Sequence, residues 1–318
     1  YRAQKRGGKG RSGMATREED FVNQIFVVNT HTPVLFFSST GIVYKLKVYK
    51  LPLGMPQARG KAMINLLPLK EGETITTMMP LPEDEDAWDD LFVMFATSSG
   101  KVRRNRLSDF TNVMSNGKIA MKLDKRDCLV RVRTCTEHDD VLLSARGGKV
   151  IRFTVDTVRV FSGRSSTGVR GIKLAEGDEV IAMSILGHVK VEVEQRDRYL
   201  QAVSAARRLR GGDYTDRAED KVRDEELAER LVQPVFQQMA ASEEFILTVA
   251  KDGMGKRSSA YEYRIAGRGG QGITGIELGR SKKQQPSNIV AAFTVCGGDQ
   301  IMMVSDGGQI IRCPIDQI

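Results

Sequence analysis

The sequence predicts an all-β protein of the propeller type, built from about six short-stranded units and interrupted by one helical insertion. Two observations carry this. Polar turns recur in which a Gly is followed four residues later by a base: SSTGIVYK (Gly41, Lys45), TSSGKVRR (Gly100, Arg104), ARGGKVIR (Gly148, Arg152), KDGMGKR (Gly253, Arg257) and SDGGQIIR (Gly308, Arg312). A second signature, a Gly followed four residues on by an aliphatic residue, lies downstream of four of them: RGKAMINL (Gly60), NGKIAMKL (Gly117), TGVRGIKL (Gly168) and QGITGIEL (Gly272). Self-similarity at a fixed period is the mark of a repeat architecture.

The units keep one internal plan. First and second signatures are separated by 19, 17, 20 and 19 residues, and successive first signatures by 59, 48, 105 and 55. The 105 equals one unit plus about 50 residues. Within each unit, strand-like runs precede the first turn (FVMFA, VLLSA, FILTV, IMMVS) and follow it (GKVRR, GKVIRF), with GIKL or GIEL at the far end. Roughly four short strands per 50 residues is the size of a propeller blade. The predicted units are 31–86, 87–138, 139–188 and 244–295, with a partial unit at 1–30 and another at 296–318. The opening residues fit the second signature, with Gly10, Gly13 and Met14 in the places of Gly272, Gly275 and Ile276. A second signature without its first at one end, and a first without its second at the other, give the expectation of a six-unit array truncated at both ends.

Residues 189–243 read differently. Tyr199–Arg210 and Ala218–Met239 are rich in Ala, Leu, Glu, Arg and Gln, with Gly211-Gly212-Asp213 between them, which predicts a helical hairpin inserted into the β array. It is either a charged excursion or a partner site.

Composition bounds the chemistry. The chain has 318 residues, a net charge of +8 and a pI near 9.3. Residues 189–243 hold 10 Lys/Arg against 12 Asp/Glu, so the remainder carries +10. Such an excess favours a polyanionic partner. No run of eighteen apolar residues, signal peptide or lipidation site is present, so the expectation is a cytoplasmic protein with no membrane partner. Cys128, Cys135, Cys296 and Cys313 form no CxxC pair, and with three histidines they complete no zinc set, so no metal site is expected. His31, His138 and His188 lack paired carboxylates or nucleophiles and read as structural. The acidic run EDEDAWDD (83–90) has no EF-hand register and reads as a solvated loop around Trp88.

The first thirteen residues, YRAQKRGGKGRSG, hold five Lys/Arg and no acid. Glycines let backbone amides approach an anion closely, and neighbouring cations add charge. QKRGGKG (4–10), followed by Asp20, Phe21, Val22, Asn29 and His31 and by the repeated G-x-V-x-R units, closely resembles the C-terminal domain of the DNA gyrase A subunit. The resemblance runs over nearly the whole chain except the insertion. The family's heptapeptide is usually QRRGGKG; Lys5 keeps the charge but lacks the planar fork of Arg. The related topoisomerase IV domain shares the repeat and fold without an intact heptapeptide.

The resemblance implies a six-bladed β-pinwheel whose strand swaps link neighbouring blades. It implies a disc that wraps double-stranded DNA in a positive sense and presents a segment for strand passage, producing negative supercoils in a complex of two gyrase A and two gyrase B subunits. ATP and Mg²⁺ act elsewhere in that assembly, the cleaving Tyr belongs to the upstream half, and this chain carries no catalytic residue or cofactor. The expected DNA-binding residues are Gln4, Lys5, Arg6, Gly7, Gly8, Lys9, Gly10 and Arg11; Lys45, Arg59, Lys61, Arg103, Arg104 and Lys118; and Arg152, Arg164, Arg170, Lys256, Arg257, Arg268 and Arg312. Strand alternation should turn some of them toward neighbouring blades. The alternatives are a topoisomerase IV-type accessory domain and a protein-interaction propeller.

Overall fold

The structure, a computed structural model, describes residues 27–55, 58–82, 84, 86–163, 166–211, 218–278, 287–304 and 310–315. Each repeat folds as a small antiparallel sheet. The first blade is built on β1 (Pro33–Ser38), β2 (Ile42–Lys47) and β3 (Ile75–Pro80). The second has β4 (Phe92–Thr97), β5 (Lys101–Arg106) and, after a two-residue strand β6 (Lys118–Ile119), β7 (Leu129–Cys135). The third has β8 (Asp139–Ala145), β9 (Lys149–Thr154), a two-residue β10 (Val169–Arg170) and β11 (Val180–Gly187). The fourth has β12 (Phe245–Ala250), β13 (Gly255–Ser259), a two-residue β14 (Ile273–Thr274) and β15 (Ile289–Val295). The pair β16 (Gln300–Val304) and β17 (Ile310–Pro314) begins a fifth.

The strand orders are β3-β1-β2-β6, β7-β4-β5-β10 and β11-β8-β9-β14, with β15-β12-β13 and β16-β17 following. In each of the first three sheets, three strands belong to one repeat and the fourth is lent by the next: β6 pairs with β2, β10 with β5 and β14 with β9. At the opposite edge, β3 packs beside β7, β7 beside β11 and β11 beside β15, so these strands form the hub. The borrowed strands are therefore the outermost ones.

The two sequence signatures meet across this exchange. Each first-signature Gly carbonyl accepts an amide of the next repeat's second signature: Gly41 from Ala120 (2.9 Å), Gly100 from Gly171 (2.8 Å) and Gly148 from Gly275 (2.9 Å). At Gly41 (φ 81°) and Gly272 (φ 72°), a positive φ combines with crowding: an added methyl would run into the carbonyl of Met121 and of Val150, respectively.

The core lies between blades. Val93 and Phe95 of β4 pack toward the first blade against Leu35, Phe37 and Phe110, with the Phe37 and Phe95 rings edge to face at 5.6 Å. Their alternates Phe92, Met94 and Ala96 pack toward the third blade against Val141, Leu143 and Ile151. A strand buried on both faces needs an unbroken apolar run, which is why FVMFA and VLLSA do not alternate with polar residues. Trp88 is fully buried in the first of these clusters, its indole N–H donating to the Pro82 carbonyl (3.0 Å), so it anchors the acidic loop while Asp84, Asp86, Asp89 and Asp90 are exposed.

The insertion is helical as expected, in three pieces: α1 (Val193–Gly211), α2 (Ala218–Glu229) and α3 (Pro234–Ala241). Arg208 grips the buried Asp224 carboxylate with two hydrogen bonds (2.7 and 2.6 Å), joining α1 to α2. Tyr199 packs edge to face on Phe236 and Tyr261, and the Tyr261 hydroxyl donates to the Met239 carbonyl (3.0 Å), so the helices dock on the fourth blade. Among the described residues no helix is long and apolar enough to cross a membrane.

Candidate nucleic-acid interface

The basic residues divide by the strand position that carries them. In β2, β5 and β9 the residue two places after the turn Gly is Val43, Val102 or Val150, each buried against the next blade. Side chains alternate with period two, so the base four places after the Gly faces the next blade as well. Lys45 Nζ donates to the Thr111 carbonyl (2.7 Å) and lies 5.2 Å from the Trp88 ring centroid. Arg152 pairs with the fully buried Asp140, Nη2 to Oδ2 at 2.7 Å, and donates through Nη1 to the Ala260 carbonyl (2.8 Å). Arg257 Nη1 donates to the Ile315 carbonyl (3.1 Å). All three reach the turn after the second strand of the following repeat and staple one blade to the next.

Arg104 occupies the same position but has no such acceptor. It is buried with its guanidinium 4.7 Å from the Phe92 ring centroid, its Nε and Nη1 have no hydrogen-bond partner among the described residues, and burial pulls its pKa below the usual arginine value. Its neighbour Arg103, also buried, lies 5.1 Å from the Phe161 ring centroid and donates to the Ser166 carbonyl (2.7 Å) and to Asn105 (2.8 Å).

Of the expected DNA-binding residues, Arg103, Arg104 and Arg152 are buried, and Lys45 and Arg257 are half-buried with their side chains spent on contacts between blades. Lys118 is half-buried and holds the carbonyls of Asn112 (2.8 Å) and Asp109 (3.3 Å). Arg268 donates to the carbonyls of Arg170 (2.6 Å) and Thr157 (3.3 Å). Both tie corner loops together. Gln4, Lys5, Arg6, Gly7, Gly8, Lys9, Gly10, Arg11 and Arg164 lie outside the described residues, as does the side chain of Arg312.

Arg59, Lys61 and Arg170 are exposed on second-signature corners, and Lys256 is half-exposed beside the fourth blade's turn. Lys122, Lys173 and Lys149 belong with them, all exposed, and sequence reasoning passed them over. Lys122 and Lys173 stand five places after Gly117 and Gly168, one residue beyond the aliphatic position at which the signature ends. Lys149 directly follows Gly148, and its Nζ donates to Thr274 of the borrowed strand (3.1 Å). Among the described residues, Arg59, Lys61, Lys122, Lys149, Arg170 and Lys173 make no ion pair. Lys101, by contrast, is paired with Asp124. These six cations sit at second-signature corners or, for Lys149, beside the borrowed strand it contacts, while other exposed cations without an ion pair among the described residues lie elsewhere, Arg133 on the hub strand β7 among them.

A second repeated feature escaped the sequence reading. A carboxylate just before three of the four hub strands latches the first-signature turn: Glu73 accepts from Thr40 (2.8 Å), Asp127 from the hydroxyls of Ser98 (2.8 Å) and Ser99 (2.6 Å), and Asp178 from the Gly147 amide (2.9 Å). At Asp127, burial pushes the pKa up, but the Ser99 and Ser98 hydrogen bonds outweigh it and hold the carboxyl below its usual value.

A sequence model described as "DNA gyrase C-terminal domain, beta-propeller" matches the chain over residues 1–29, 32–82, 92–136, 139–186, 244–283 and 299–318. The chain belongs to the DNA gyrase C-terminal domain family. The matched stretches of this gyrase domain skip the helical insertion. The DNA gyrase A protein of Rickettsia bellii is 48% identical over the whole chain and that of Granulibacter bethesdensis 47%, while that of Salmonella typhimurium is 35% identical. The chain spans about a third of the length of these curated relatives. Among solved structures, the C-terminal domain of DNA topoisomerase IV superposes with a TM-score of 0.67 at 18% identity, covering 92% of this chain and 72% of that one. A DNA gyrase A C-terminal domain superposes with a TM-score of 0.61 at 20% identity, covering 96% and 82%. These two likenesses show a shared fold.

Proposed function

We propose that this chain binds duplex DNA along its outer edge without regard to base sequence and wraps it in a positive sense. On this reading it directs strand passage by a gyrase that introduces negative supercoils. The observation that carries the reading is the set of exposed cations, in no ion pair among the described residues, at the second-signature corners: Arg59, Lys61, Lys122, Arg170 and Lys173. Phosphate contacts position a duplex and carry no sequence information. A bend of 40–90° over 20–30 bp costs roughly 1–6 kcal/mol, so one corner cannot hold it and several must act together. Binding should therefore weaken steeply with salt, log K falling by about 0.9 per phosphate neutralised for each log unit of salt.

The family and the gyrase A relatives support the wider setting: a cytoplasmic, nucleoid-associated assembly of two gyrase A and two gyrase B subunits. ATP, Mg²⁺ and the cleaving Tyr belong to other parts of it, and this domain contributes no catalytic group. The QKRGGKG segment would supply the principal phosphate contact. The gyrase reading is preferred to a topoisomerase IV-type domain because the relatives above 45% identity are gyrase A chains, whereas the topoisomerase IV likeness is one of fold.

The test is topological. Nicked plasmid is ligated in the presence of the full-length protein, and its topoisomers are resolved. A positively shifted ladder is expected; an unshifted ladder at saturating protein overturns the wrapping claim.

A further inference from the structure

Among the described residues, three first-signature bases find an acceptor in the next repeat and one does not. Lys45 and Arg257 donate to carbonyls there, and Arg152 has both such a carbonyl and the buried Asp140 carboxylate. The register shows why Arg104 differs. Asp140 pairs across its sheet with Thr154, six places after Gly148, and the residue that pairs with Arg106, six places after Gly100, is Phe92. The second repeat therefore sets a phenyl ring where the third sets a carboxylate. Arg104 is only 6% exposed, its guanidinium lies 4.7 Å from that ring's centroid, and its Nε and Nη1 are sealed from solvent with no hydrogen-bond partner among the described residues.

More positive charge gathers at the same joint. Arg106 stands 5.7 Å from the Phe92 centroid, and Arg103 and Arg159 stand 5.1 and 4.4 Å from that of Phe161, whose amide donates to the Arg104 carbonyl (2.8 Å). Arg104, Arg106 and Arg159 are in no ion pair among the described residues. Glu137 and Asp156 act on Arg104 only through space, and both are exposed. A guanidinium stays charged inside a protein, and a buried charge without a countercharge is strongly unfavourable. Water satisfies donors but brings no charge. We infer that Arg104 holds a small monovalent anion, of the size of a halide, at the joint between the second and third blades. The ion accepts from Nε and Nη1 and does here what the Asp140 carboxylate does for Arg152 one repeat later. It is distinct from any duplex phosphate, because donors sealed between blades are out of reach of a phosphodiester held in a helix. The inference stands whether or not the chain wraps DNA.

The first test is crystallographic, on the full-length protein without DNA and with bromide replacing chloride. An anomalous scattering peak is expected in contact with Arg104 Nε and Nη1. Water at that position, or bromide only on exposed side chains, overturns the inference. The second test follows hydrogen exchange of the Phe161 amide in solution, with chloride replacing glutamate, which is too large for a sealed site, at constant ionic strength. Once chloride exceeds its dissociation constant, protection should rise about tenfold for each tenfold rise in chloride, as linkage to one bound ion requires. Arg104→Met removes the charge and should abolish both the bromide peak and the chloride dependence. Phe92→Asp, which supplies the carboxylate that Arg152 already has, should do the same. Chloride dependence that survives in Arg104→Met overturns the inference, and the bromide map of the unaltered protein decides it even where neither variant folds.

Discussion

Arg152 and Lys173 are both basic residues close to a signature glycine, yet they do opposite work. Arg152 lies within the β9 hairpin, buried between blades and bonded to Asp140 and to a carbonyl of the next repeat. Lys173 lies just past a borrowed strand, exposed and without an ion pair among the described residues. The contrast teaches that a repeated cation is not by itself a repeated ligand site. In this fold the base four places after the first-signature Gly joins blades at Lys45, Arg152 and Arg257, whereas Arg59, Lys61, Lys122, Arg170 and Lys173 at second-signature corners stay exposed.

The sharpest way to break that contrast is to remove one member of each class. Arg152→Ala leaves the Asp140 carboxylate buried with His188 as its one remaining side-chain partner among the described residues (3.0 Å), and stripping one partner from a buried pair costs roughly 3–5 kcal/mol. Denaturant unfolding should show that loss, whereas Lys61→Ala should leave the unfolding midpoint in place and lower the salt slope for DNA by about 0.9. Equal effects of the two substitutions on stability would end the distinction.

Gly272→Ala probes the joint where the two signatures meet. It combines a positive φ with a methyl driven toward the Val150 carbonyl, so the loss should exceed the roughly 1 kcal/mol typical of Gly-to-Ala changes at compatible sites and carry the opposite sign. Thermal unfolding reads it. Gly267, with open space around its missing Cβ and no positive φ, is the control and should accept Ala with little change.

The smallest expected effect concerns the turn latches. The folded state holds the Asp127 carboxyl below its usual value, so the unfolded chain binds a proton first as pH falls. The stabilisation is fully present above the unfolded pKa, about 4, and is lost as pH drops through the lower folded value. Asp127→Asn should flatten that acid limb of the stability curve, and an unchanged limb would show that Asp127 does not couple to folding.

Much of this was legible in the residues. The Gly spacing revealed the repeat, the unbroken apolar runs marked strands buried on both faces, and the change of composition at 189 located the helices. Even the inward turn of Lys45 and Arg152 could be read, since Val43 and Val150 two places earlier are apolar and strand side chains alternate. The exposed bases were harder to find. Lys122 and Lys173 share a spacing with their glycines, but nothing local distinguishes them from Lys45 until the neighbouring sheet is in place.

The sequence by itself determined the period, the strand content, the helical insertion and the excess of positive charge, because each is set by local residue preferences that recur. Tertiary structure alone decided which repeat a corner strand joins. Ala120 reaches back 79 positions to Gly41, whereas Gly275 spans the helical insertion to reach Gly148, a partnership fixed by backbone hydrogen bonds between blades and not by any side-chain pattern along the chain. That exchange sets the outer edge of the molecule, and so it also decides which cations face the solvent.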